Sequence, residues 1–169
     1  MYETLDAIAA SPIGDYMAAN AFAFPAVETV HVVAITTVIG FIAIVDLRLL
    51  GLASASYPIS RLSRALLPTT WIAFALAVVS GALLFTSQPA TYFDNTAFRI
   101  KMALILLAGL NMLAFHFLTL RNIEAWDTGG PGPAAARLAG LLSLLIWVVV
   151  VACGRWIGFT TSTAFCQPR

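Results

Sequence analysis

Apolar residues in this chain fall in four runs too long for the buried helices of a water-soluble fold. They read from Phe24 to Leu50, Leu66 to Thr86, Ala97 to Leu120 and Arg137 to Phe159. A helix rises about 1.5 Å per residue, so roughly 20 apolar residues cross the hydrocarbon of a bilayer, and each run reaches that length. The pattern predicts an all-α fold, a four-helix transmembrane up-down bundle, as a single integral membrane domain over residues 1–169. The connection GLASASYPISRLSRA reads as a loop with a basic flank, and SQPATYFDNTAF as a short polar link. In RNIEAWDTGGPGPAAAR the Gly-Gly-Pro-Gly-Pro core cannot be helical and marks the longest loop. Ahead of the first run, Ser11-Pro12 followed by Asp15 has the form of a helix start and predicts a short interfacial helix with Ile13, Tyr16 and Met17 on one face. Pro25 reads as the first helical position of span one.

Composition agrees: 60% of residues are apolar, 10% are charged and the mean hydropathy is +0.91, so the main solvent, and the first partner, is lipid. A net charge of +1 without a Lys/Arg cluster argues against a nucleic-acid partner. The start, MYETLDAIAA, has no basic residue, so nothing reads as a cleaved secretory signal. Cys153 and Cys166 lie roughly 20 Å apart at helical rise and both read as free. Arg48, Arg61 and Arg64 flank one loop, and Arg121 and Arg137 another. The positive-inside rule places these loops in the cytoplasm and both termini outside, in a bacterial cytoplasmic (inner) membrane.

Ionisable groups inside a span need a partner or a task. Glu28 and His31, three apart on one helix face, fall in the same outer layer as Lys101 and Arg155, with Arg99 at its edge. A second layer holds Asp46, Arg48, His116 and Arg121, with Asn111 nearer the middle. Glu28 and Asp46, five turns apart, share one side of span one; Lys101, Ala108, Met112 and Thr119 share a face of span three with His116 beside it. Both stripes are assigned to the bundle interior. Gly154 and Gly158, in small-xxx-small spacing, permit close helix approach on span four. Structural readings compete: Arg155, Arg99 and Lys101 can snorkel to headgroups, Glu28 can complement a helix N-terminus, and Asp46 with Arg48 can be an end-of-helix feature. For His31, well inside the run and one turn from a carboxylate, function is favoured.

Two histidines on two helices of a membrane bundle suggest a b-type haem, whose iron takes one or two imidazoles. His31 lies roughly 9 Å past Pro25, whereas His116 lies roughly 26 Å past Arg99 from the same side, so a single haem on both histidines of one protomer is disfavoured. The expectation is a haem on His31, with Lys101 or water opposite, Glu28 orienting the ring, and Arg155 or Arg99 on the propionates; His116 can support a second haem.

The stretches ETVHVVAITTVIGFIAIVDLRLLGL, LLPTTWIAFALAVVSGALLF, FRIKMALILLAGLNMLAFH and GRWIGF resemble a group of uncharacterised bacterial four-helix membrane proteins over nearly the whole chain. More distantly, the early His and the Arg-x-Lys-Met-x-Leu opening of span three look like the copper-resistance D proteins and the haem-binding membrane protoporphyrinogen oxidases. The latter resemblance implies a haem-binding role for His31 and an important role for Lys101. The specific oxidase activity is not expected, because the residues around the motif differ. An electron-transfer role follows from these expectations, with a homo-oligomer or a redox protein as partner. The alternatives are copper or proton passage along Glu28, His31, Asp46, Met112 and His116, and a structural subunit without cofactor.

Overall fold

A computed structural model of the chain describes residues 1–53, 56–119, 123, 127 and 132–162. The described residues form helices and no strands: α1 (Tyr2–Ala9), α2 (Pro12–Ala19), α3 (Ala23–Leu49), α4 (Ile59–Ser87), α5 (Pro89–Asp94), α6 (Thr96–Ala114), a π-helical turn (Phe115–Thr119) and α7 (Ala134–Ser162). α3, α4, α6 with its π turn, and α7 are each long and apolar enough to cross a membrane, and together they form the expected multi-pass bundle.

Local chemistry sets the helix ends. Ser11 caps α2, its Oγ accepting from Gly14 N at 3.1 Å, with Pro12 at the first helical position as expected. α3 starts two residues before Pro25, because Asn20 Oδ1 accepts from Phe22 N at 2.9 Å and Ala23 N at 3.1 Å. It ends at Leu49, and Gly51, whose φ of 76° suits glycine, closes it, with Leu52 N donating to the Leu47 carbonyl and Gly51 N to that of Arg48 in a Schellman closure. Asn95 caps α6 by accepting from Ala97 N and Phe98 N, and donates to Thr160 Oγ1 at 2.8 Å, tying the start of α6 to the end of α7.

α4 begins at Ile59, about two turns before the apolar run, so Arg61 and Arg64 stand on helix rather than in a loop. Pro58 leads in extended, and the carboxylate of Asp127, from the connection after span three, accepts from Ser60 N at 3.2 Å. This cap crosses 67 residues of sequence. Hydropathy along α4 cannot reveal it.

α3 packs most closely on α4, and α6 on α7; α3 also packs on α7. Among the described residues α4 and α6 meet little beyond a stacked pair, Phe85 and Phe98, with Tyr92 of α5 against both. The α4–α6 edge is therefore a seam. At the opposite end of the helices Leu49, Ile59 and Ala136 are fully buried together, joined by Val45, Phe115 and Ile123. Close helix approach is made by Gly140, where a Cβ would stand 3.2 Å from the Asp46 carbonyl oxygen, and by Gly81 beneath the His31 ring. The expectation for Gly154 and Gly158 is corrected: among the described residues nothing within 4 Å meets a Cβ at either.

Candidate functional site

His31 lies about two turns into α3, and its half-buried ring faces α4. Nδ1 stands 2.9 Å from Ser80 Oγ. Ser80 is buried, and its hydroxyl donates to the Leu76 carbonyl, one turn back, at 2.6 Å. The ring rests over Gly81, where a Cβ would come within 2.8 Å of Cε1. Serine supplies the polar partner and glycine the room. Lys101 of α6, half-buried, is close enough for its charge to act on His31, and the half-buried thiol of Cys153 on α7 is within electrostatic reach of Lys101. Each span thus contributes one polar side chain to a layer: His31, Ser80, Lys101 and Cys153.

Of the cluster expected from sequence, the fold brings together His31 and Lys101. Glu28 is exposed and acts instead on Tyr92, whose hydroxyl burial pushes above the ordinary phenol value; the Glu28 charge adds to this and a bond with Ser87 opposes it. Ser80, not Glu28, orients the His31 ring. Sharing a face of α3 did not bury Glu28 as it buries Asp46, because burial needs a neighbouring helix at that depth. Arg155 is exposed, its guanidinium 5.6 Å from the centre of the Phe159 ring. Arg99 is also exposed, with Nη2 donating to Thr96 Oγ1 at 3.4 Å.

His116 lies at the other end, exposed, its ring edge-on to Phe117 at 5.4 Å. The π turn that carries it breaks the 3.6-residue periodicity on which its placement beside the interior stripe relied. Likewise Met112 is 41% exposed, while neighbouring Asn111 faces α7 and donates to the Ala139 carbonyl at 2.9 Å. Phe115, just before His116, packs on Leu49, which lies eighteen residues along α3 from His31. That is about 27 Å of helix, so His31 and His116 cannot share an iron.

Asp46 and Arg48 are buried at this second end, with Arg48 fully enclosed. Arg48 Nε donates to the Tyr57 carbonyl at 2.7 Å, and the Ser143 hydroxyl of α7 meets the Asp46 carboxyl. Partial burial pushes the Asp127 carboxyl up, but bonds with Ser60 and Ile59 and the charge of Arg48 outweigh it and hold the group below the usual carboxylate range. Among the described residues no three His, Cys, Asp or Glu side chains gather as a metal site. Arg121 and Cys166 lie outside the described residues.

A family model matches residues 12–160, which is most of the chain. The protein belongs to a family of unknown function, DUF6644. No curated protein and no solved structure matches it. Membership agrees with the likeness to an uncharacterised family; the more distant likenesses find no support in these comparisons. In this DUF6644 member, sequence reasoning missed Ser80 and Cys153 as parts of the His31 layer. The available signal was the Ser80-Gly81 pair, the one small polar-glycine step in the middle of an otherwise apolar run from Trp71 to Phe85.

Proposed function

We propose that this protein binds a b-type haem through His31 in the bacterial cytoplasmic membrane, with both termini outside, and serves redox or electron-transfer chemistry. The observation that carries this reading is the His31 ring itself: half-buried in an apolar helix, held by α4 through one nitrogen only, and in reach of Lys101. Gly81 gives the ring room to lie close against α4. His31 would hold such a group through its imidazole, and Lys101, Arg99 and Arg155, at the same end, would meet its propionates. The seam between α4 and α6 suits entry of a flat apolar molecule from lipid.

When bound, such a group supplies one-electron chemistry. The chain's own residues then have separable tasks. Ser80 and Gly81 hold the imidazole; Lys101, when protonated, would place a positive charge in this layer and favour electron-rich states nearby. The short likeness of His31 and Arg99-x-Lys101 to haem-binding membrane oxidases points the same way.

Absorbance of the purified protein, expressed with ample haem, tests the proposal. A Soret band is expected, lost or strongly shifted in His31→Ala and little changed in His116→Ala; colourless wild-type protein refutes it. For orientation, cysteines introduced one at a time into the 129–133 loop should label only from the cytoplasmic side.

A further inference from the structure

Ser80 Oγ lies 2.6 Å from the Leu76 carbonyl oxygen and 3.3 Å from that of Ala77. Carbonyls only accept, and two oxygens 2.6 Å apart need a hydrogen between them; the hydroxyl's single hydrogen is therefore committed to Leu76. Toward His31 Nδ1, at 2.9 Å, Ser80 presents a lone pair. The Ser80 oxygen therefore asks the ring for a proton, and Nδ1 must carry one. A neutral imidazole has one N–H, which leaves Nε2 bare.

We infer that Ser80 is a positioning residue that locks His31 as the Nδ1–H tautomer and makes Nε2 the atom of this layer that takes a Lewis-acidic or hydrogen-bond-donating ligand. For the identity of that ligand the inference rests on the haem reading, in which Nε2 would hold the iron. The tautomer rests on hydrogen-bond geometry alone. Gly81 completes the device: a side chain there displaces the ring from Ser80. The same hydrogen bond, donated from the nitrogen remote from the ligand, fixes ring orientation and basicity, as the outer partners of ligating histidines do.

The chain has two histidines, so His116→Asn leaves His31 as a single reporter in full-length protein labelled with ¹⁵N-histidine in lipid bilayers. Solid-state NMR without added haem should show one protonated nitrogen, assigned to Nδ1, and one bare nitrogen, Nε2. Ser80→Ala should give a mixture of tautomers, and Ser80→Thr, which keeps a hydroxyl that can bond one turn back, should restore the wild-type pair. An Nε2–H tautomer or a doubly protonated ring in the parent protein overturns the inference, as does a Ser80→Ala spectrum identical to the parent. If the tautomer is as expected but no Soret band forms, the haem reading fails and the positioning role stands. If haem binds, Ser80→Ala should retain it with a shifted reduction potential that Ser80→Thr reverses; an unchanged potential removes the functional part of the inference.

Discussion

The two ends of α3 carry similar polar chemistry and receive opposite treatment. At one end Asp46 and Arg48 are sealed: Arg48 has no exposed surface, α7 closes over Asp46 through Gly140, and Asp127 reaches across to cap α4 beside them. At the other end His31 and Lys101 are only half-buried, α4 and α6 hardly meet, and Glu28, Arg99 and Arg155 are open. Burial of a polar group against a neighbouring helix or loop, as Asp46 meets Ser143 and Arg48 meets the Tyr57 carbonyl, commits it to holding those elements together. Half-burial with one ring nitrogen unspoken for leaves chemistry to spare. The same residue types thus read as architecture at one end and as a site at the other.

The largest effect should come from Arg48→Ala. Breaking a buried charged contact costs about 3–5 kcal/mol, so thermal unfolding in detergent should show a loss on that scale while the Soret position, where haem is bound, stays put. A stable Arg48→Ala protein would mean that the sealed end is not what holds α3, α4 and the following loop together.

Gly140→Val should cost about 1–3 kcal/mol, because its added atoms meet the α3 backbone and Leu49. Gly154→Val, facing open space, should stay within about 0.5 kcal/mol. Equal losses in the two variants would erase the distinction between helix faces that touch a neighbour and faces that do not.

His31→Ala sharpens the contrast from the other side. It removes one hydrogen bond from a half-buried ring while Ser80 keeps its bond to Leu76, so the stability loss should be about 1 kcal/mol. The Soret band should nonetheless disappear. A loss matching that of Arg48→Ala would make His31 another structural group.

A small stability change is expected for Asp127→Ala, below about 1 kcal/mol because the capping carboxylate is largely solvated. Its carboxyl is depressed in the folded protein, so its stabilising contribution is full above the unfolded value of about 3.9 and is lost as pH falls through the lower folded value. Unfolding midpoints of wild type and Asp127→Ala should therefore differ by a constant amount from pH 5 to 8 and converge below about pH 4.

The four spans, the Ser11 cap and the common depth of His31 and Lys101 were legible along the chain, because each depends on residues within one helix: run length, a cap three residues away, a count of residues from the span end. The start of α4 was not, since its cap comes from Asp127 in a distant connection. Nor was the outward turn of His116, which follows a local switch to π-helical bonding that apolar periodicity does not signal. The expected small-residue contact at Gly154 and Gly158 failed and those at Gly140 and Gly81 went unforeseen for one reason. A glycine in a helix states only that close approach is permitted there, and which neighbour accepts depends on how the helices pair. Sequence by itself determined that this chain lives in lipid as four helices and which polar residues it keeps there. Only the tertiary structure decided that Ser80 rather than Glu28 holds the His31 ring and that Asp46 and Arg48 are sealed, because hydrogen-bond partners on different helices are chosen by helix rotation and depth, which no single helix encodes.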